Sequence, residues 1–126
     1  GKVNSETREA VSQYDGALQE LEYIKRKVAQ ETREAYLDTI TGLARVTAFE
    51  QALASTKLQV ESTKLGLEVG VRTAVDVLDA ETLLAEARRD MYGAIRDSIL
   101  AKFRLQWITG RMMEQDMVEF NTLFVN

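Results

Sequence analysis

A chain reversal is encoded between Gly70 and Thr73, in the middle of an otherwise continuous helical pattern. Glycine tolerates a positive φ and is the usual residue just beyond the end of a helix. Thr73 can cap a following helix, and Asp76 three residues later completes a capping-box pattern. The chain is therefore predicted to be a helical hairpin with its bend at residues 70–73.

The segment after the bend carries an unbroken 3-4-3-4 spacing, which is typical of a coiled-coil seam. Every second seam position from Ala80 to Ala101 is alanine, and alternating small residues allow an antiparallel helix to come close. The seam residues are Val77, Ala80, Leu84, Ala87, Met91, Ala94, Ser98, Ala101, Leu105 and Ile108.

A second apolar stripe on the same helix faces elsewhere and consists of Ile95, Ile99, Phe103 and Trp107. A helix with two seams has partners on both sides, so this one is predicted to lie in a wall or bundle of helices. The first helix has a matching but less regular seam, interrupted by Gly16 and Gly42, which are predicted to mark close approaches or bends. Its predicted residues are Val11, Tyr14, Leu18, Leu21, Val28, Ala35, Leu43, Val46, Leu53, Val60 and Leu67.

The predicted fold is all-α: a long antiparallel, coiled-coil-like helical hairpin. The first helix begins near residues 3–5 and runs to about Val69. The second helix is about half as long and ends at Gly110, followed by a connector and a short C-terminal helix around residues 113–123. The first thirty-odd residues then lack a full-length partner, so the isolated chain is predicted to self-associate. The contacts are expected to involve Leu18, Leu21, Val28, Ile95, Ile99 and Phe103.

Composition excludes several function classes. The 126 residues contain no proline, which suits long helices. They contain no histidine or cysteine and no phosphate-binding loop, so no enzyme, metal site or cofactor is expected. The net charge of −4, without a run of Lys and Arg, argues against a nucleic-acid partner. No apolar run is long enough to span a membrane, and residues 1–6 are not a signal peptide. The chain is either unexported and soluble or a piece of a larger protein.

The tip resembles a known pattern. Residues 69–80 are similar to the periplasmic hairpin tip of TolC-type outer-membrane efflux proteins, V-G-x-R-T-x-x-D-V-L-D-A. The opening residues 1–5 resemble the segment after a barrel strand in that family, and residues 105–116 resemble the descent into its equatorial region. The matching tip residues are Val69, Gly70, Arg72, Thr73, Asp76, Val77, Leu78, Asp79 and Ala80.

The resemblance implies a trimeric exit duct of a tripartite efflux or type I secretion system. Residues 1–126 would be the second of two hairpins of its periplasmic α-barrel, with part of the equatorial region and without the outer-membrane β-barrel strands. The implied partners are two further protomers, a periplasmic adaptor and, through it, an inner-membrane pump. The implied location is the periplasmic portion of an outer-membrane protein in a Gram-negative envelope. The sequence predicts no substrate.

The family also implies roles for tip residues. Asp76 and Asp79 would form acidic, cation-selective rings at the constriction, and Arg72 would join polar links that hold the closed state. The family often has Tyr in that network where this chain has Leu67, which cannot donate a hydrogen bond. The implied adaptor-docking residues are Val69, Gly70, Val71, Arg72, Thr73, Val75, Val77 and Leu78.

Other interpretations stay open from sequence. Thr73 with Asp76 is explained as a simple helix cap, which is compatible with a gate role. The hairpin could be a structural coiled-coil scaffold without channel function. An adaptor's own hairpin is a third alternative, but it predicts a different pattern at the bend.

Overall fold

The computed structural model describes residues 1–125, without the side chains of Phe120, Leu123, Phe124 and Val125. Helix α1 is Lys2–Glu68 and helix α2 is Ala74–Val125, joined by a turn at residues 69–73. The described residues contain no strand. The predicted all-α hairpin and the position of its bend are confirmed. None of the helical segments described is long and apolar enough to cross a membrane.

The chain divides into two compact units, residues 1–34 and the residues from Ala35 onward. In the second unit, α1 and α2 pack against each other through the seam predicted for α2. Every residue of that predicted seam is buried or half-buried, and Ala80, Ala94 and Ile108 are the most deeply buried. The periodicity of α2 therefore identified its packed face correctly.

The α1 face opposite is more polar than predicted. Leu43 and Leu67 were predicted to lie in the seam, but they are 58% and 42% exposed. The observed face keeps a 3-4 spacing by using threonines and a glycine between its apolar members. Its threonine hydroxyls donate to carbonyls four residues earlier in α1, so their burial leaves no polar group unpaired. The face consists of Ala35, Thr39, Gly42, Val46, Phe49, Leu53, Thr56, Val60 and Thr63.

Gly42 marks the predicted close approach of the two helices. A Cβ atom added there would lie 3.4 Å from Ser98 Cα. One turn away, the Thr39 hydroxyl lies 2.9 Å from the Ala35 carbonyl and 3.4 Å from the Ala101 carbonyl on α2. Small residues on both helices thus bring the backbones near enough for a hydroxyl to reach across.

Among the residues that the structure describes, two ion pairs cross between the helices at exposed positions. Lys64 Nζ lies 3.2 Å from Glu81 Oε1, and Arg104 lies 3.5 Å from Asp38. All four side chains are about half exposed or more, so each pair contributes no more than about 1 kcal/mol. Apolar packing and the close approach, rather than these charges, hold the arms together.

The predicted end of α2 at Gly110 is wrong, and so is the separate C-terminal helix around residues 113–123. Helix α2 continues through this region to 52 residues against 67 in α1, so it is also longer than half of α1. Among the described residues only Gly70 has a positive φ. A helical glycine costs about 1 kcal/mol relative to alanine, which a continuing hydrogen-bond ladder and the good helix formers at residues 111–115 offset. The Thr109 hydroxyl donates to the Leu105 carbonyl at 2.8 Å, as expected inside a helix.

The first unit, residues 1–34, is helical from Lys2 onward, and Gly16 does not interrupt the helix. A Cβ at Gly16 would meet nothing within 4 Å, so this glycine marks neither a break nor a close approach. Of the seam predicted here, only Val28 is half-buried. The exposed members are Val11, Tyr14, Leu18 and Leu21.

Candidate functional site at the hairpin tip

The tip begins with a helix end closed by backbone hydrogen bonds. Gly70 has φ +82°. The Val71 N–H donates to the Gly66 carbonyl at 2.9 Å, and the Gly70 N–H donates to the Leu67 carbonyl at 3.2 Å. This pair of bonds defines the Schellman motif. The Arg72 N–H also donates to the Gly66 carbonyl, at 3.1 Å. Three consecutive N–H groups of the turn are therefore paired with the last turn of α1.

The start of α2 is closed by the predicted capping box. The Thr73 N–H donates to Asp76 Oδ2 at 2.9 Å, and the Asp76 N–H donates to Thr73 Oγ1 at 3.1 Å. The Thr73 carbonyl accepts the Val77 N–H at 3.3 Å, the first bond of the α2 ladder. Both helix ends are thus closed by short-range bonds within residues 66–77, and the tip has a defined conformation of its own.

The capping bonds set the charge of Asp76. The Thr73 N–H lowers the pKa of the Asp76 carboxyl most, followed by the Thr73 hydroxyl; desolvation raises this pKa, and the Arg72 charge, the smallest of the four effects, lowers it. Asp76 is therefore ionised at neutral pH. Asp79 lies three residues further along α2, with its side chain exposed. Residues three apart are neighbours on a helix, so the two carboxylates share one side of the first turns of α2.

Arg72 folds back over the end of α1 rather than extending from the turn. A Cβ built on Gly66 would lie 2.5 Å from Arg72 Cγ. Among the described residues the Arg72 guanidinium has no carboxylate within 4 Å, although it is near enough to lower the Asp76 pKa. The structure therefore brings Arg72 and Asp76 to the same end of the hairpin without an ion pair between them.

The predicted docking residues form the outer surface of the tip, with one exception. Val77 is half-buried and begins the α2 seam, whereas Gly70, Arg72 and Thr73 are exposed. Four apolar side chains in this short stretch are between 61% and 74% exposed, a concentration that is typical of an interaction site. They are Val69, Val71, Val75 and Leu78.

Gly66 is a tip residue that the sequence interpretation missed. It is buried under the turn and accepts two of its N–H groups. Its signal in the sequence is an isolated glycine inside a helical pattern, four residues before the helix-ending Gly70. In the part of the chain that the structure describes, no group of three or more acidic, Cys or His residues could hold a metal ion.

Comparison with known proteins gives a consistent result. Residues 1–111 match the family described as outer membrane efflux protein. The chain is 38% identical over 122 residues to the outer membrane protein TolC of Vibrio cholerae, covering 96% of the chain and 28% of that protein. It is 30% identical over 122 residues to TolC of Salmonella enteritidis, covering 97% and 25%. It is 27% identical over 124 residues to the proteases secretion protein PrtF of Dickeya chrysanthemi, covering 98% and 27%. The chain spans about a quarter of the length of these relatives.

Proposed function

Since the chain belongs to the outer membrane efflux protein family, we propose that it forms part of the wall and the periplasmic tip of a trimeric exit duct. The duct would serve tripartite efflux or type I secretion, and the secretion role is supported by the similarity to PrtF, a proteases secretion protein. Family membership favours this function over a scaffolding coiled coil and over an adaptor hairpin. The hairpin would be the periplasmic portion of an outer-membrane protein.

The observation that carries the duct proposal is the two-sided character of α2. One face of α2 packs on α1 through the alanine-rich seam. In the second stripe Ile95 is half-buried, Ile99 is about half exposed, and Phe103 and Trp107 are more exposed still. A helix that is apolar on two sides needs a further helix beside it, as in a closed wall of hairpins. Neighbouring hairpins of the same barrel would supply that cover.

The tip would act as the gate of this duct. Trimer symmetry would place three copies of Asp76 and three of Asp79 around one axis. Like charges held close together attract multivalent cations, so the opening would be cation-selective and would be blocked by divalent ions. Arg72, which has no carboxylate within 4 Å among the described residues, would supply the polar link that holds the closed state.

The exposed apolar tip would dock the periplasmic adaptor, which connects the duct to an inner-membrane pump. Val69, Val71, Val75 and Leu78 supply apolar contact area. The closed hydrogen bonding of the turn means that these side chains are presented on a fixed backbone.

The gate proposal is tested by planar-bilayer recording of the complete trimeric channel. We expect the double variant Asp76→Asn, Asp79→Asn to lose cation preference and divalent block. Asparagine is chosen because it removes the charge and still accepts the Thr73 N–H as a cap. The matched control is Asp90→Asn, an exposed α2 carboxylate beyond the tip, which should leave both properties unchanged. If cation preference and divalent block both persist in the double variant, the two residues serve only as helix-start carboxylates.

A further inference from the structure

Gly66 is buried although it has no side chain, whereas its neighbours Leu65 and Leu67 are 60% and 42% exposed. Gly66 is covered by the side chains of Val71 and Arg72 in the turn. A Cβ atom built on Gly66 would lie 2.5 Å from Arg72 Cγ, 3.2 Å from Arg72 Cβ and 3.5 Å from Val71 Cγ2. Separations below 3 Å are not tolerated, so the Arg72 side chain occupies space that any other residue at this position would fill.

This arrangement departs from the usual Schellman motif. The motif normally pairs an apolar residue in the last helical turn with the residue after the glycine. Here the helical position is Gly66, and the aliphatic stem of Arg72 lies where that side chain would be. Arginine stems commonly cover apolar or backbone surface while the guanidinium stays in water. By contrast, a Cβ at the helical Gly16 or Gly110 would meet nothing within 4 Å.

We infer that Gly66 is a positioning residue for Arg72. Because residue 66 has no side chain, the aliphatic stem of Arg72 can pack against the last turn of α1 in the space that a Cβ would fill. The guanidinium is thereby kept at the end of the hairpin where α2 begins and where Asp76 lies in its first turn. The influence of Arg72 on the Asp76 carboxyl is consistent with this placement. The inference deepens the proposed function and rests on it where it assigns Arg72 to the closed-state link. The positive and negative groups of the tip would then be arranged before any partner binds.

The first test is a double-mutant cycle in the full chain, with Gly66→Ala, Arg72→Ala and the double variant followed by thermal unfolding. The control is Gly110→Ala, where alanine replaces a helical glycine in open space and should raise Tm. We expect Gly66→Ala to raise Tm less than the control or to lower it. Most of that deficit should disappear in the Arg72→Ala background, because the 2.5 Å contact is to Arg72 Cγ.

The second readout is the titration of the Asp76 carboxyl by NMR. Gly66→Ala should raise the pKa of Asp76 in the direction that Arg72→Ala does, and the double variant should add no further rise. A purely structural role for Gly66 would give the same Tm deficit in both backgrounds and leave this titration unchanged. Either of those results overturns the inference.

Channel recordings separate this inference from the proposed function. If Gly66 positions Arg72 and Arg72 holds the closed state, Gly66→Ala and Arg72→Ala should raise the open probability of the complete channel to a similar extent. Another outcome is that neither variant changes the open probability while the thermodynamic cycle still shows coupling between Gly66 and Arg72. The proposed role of Arg72 in the closed-state link is then wrong, and so is the assignment of Gly66 to that link. If Arg72→Ala increases opening and Gly66→Ala does not, the proposed function stands and the inference is wrong.

Discussion

Replacing Ala80 with leucine tests whether the alanine positions of α2 are close-packed. Ala80 is 3% exposed and lies at the first alanine of the seam, one turn beyond Asp76. Leucine adds three carbon atoms where the two helices leave almost no accessible surface. Extra methylene groups in a packed core cost about 1–3 kcal/mol. Alanine and leucine differ little in helix propensity, so the change measures packing.

The expected shift in melting temperature follows from chain length. The unfolding entropy is about 2.1 cal/mol/K per residue, or about 0.26 kcal/mol/K for 126 residues. A loss of about 1–3 kcal/mol then lowers Tm by about 4–11 °C. Far-UV circular dichroism at fixed chain concentration measures this shift, since association would otherwise move Tm.

Ala85→Leu is the matched control, because Ala85 lies on the exposed side of the same helix. It should change stability by no more than about 0.5 kcal/mol. Equal melting of the Ala80→Leu and Ala85→Leu chains would show that Ala80 has room around it and that the close-packing argument is wrong.

Three further predictions concern the tip and the exposed stripes. Thr73→Ala removes the acceptor of the Asp76 N–H and should lower the free energy of unfolding in chemical denaturation by about 0.5–2 kcal/mol. The control Thr82→Ala removes a hydroxyl that bonds to the Leu78 carbonyl inside α2 and should cost less. Equal losses in the two variants would contradict the capping role of Thr73. Because folding lowers the pKa of Asp76, the stabilising contribution of this carboxylate is complete above the unfolded pKa of 3.8 and is lost as pH falls through the lowered folded pKa. Asp76→Asn should remove the contribution of this carboxylate to the loss of stability in acid. If the pH dependence of Tm is the same in Asp76→Asn as in the parent chain, this prediction is wrong. The isolated chain should self-associate in sedimentation equilibrium at tens of micromolar, and a fully helical monomer would contradict the predicted contacts through Leu18, Leu21, Val28, Ile95, Ile99 and Phe103.

The packed face of α2 was predictable from sequence, because alanine and larger apolar residues fill every seam position except Ser98 and the 3-4 spacing has no gap. The α1 face was predictable only in part: Ala35, Val46, Leu53 and Val60 were predicted correctly. The rest was missed, because a search for apolar residues passes over threonine. Thr39, Thr56 and Thr63 lie on the packed face because each satisfies its hydroxyl within α1. Burial of a hydroxyl paired in this way carries little penalty, so the seam spacing is kept while its chemistry changes.

Glycine was predictive at Gly70 and Gly42 and misleading at Gly16 and Gly110. At Gly70, the following capping box starts a new helix at once, and the two signals agree on a turn. Gly110 has no such neighbour, and the good helix formers after it continue α2. Gly66 was missed because its burial depends on the Arg72 side chain, which folds back over the end of α1. The helical periodicity of the sequence does not predict this side-chain position.

The direct pairing of Gly42 with Ser98 and of Thr39 with Ala101 also limits how related chains can change in length. A one-residue insertion in either arm rotates everything beyond it by about 100° around the helix and turns these small residues away from each other. Seven residues are about two helical turns, so removal of one heptad nearly restores the rotation. If only one arm lost a heptad, however, Gly42 would face a different level of α2. Hairpins of different length in this family are therefore expected to differ by whole heptads, gained or lost in both arms together.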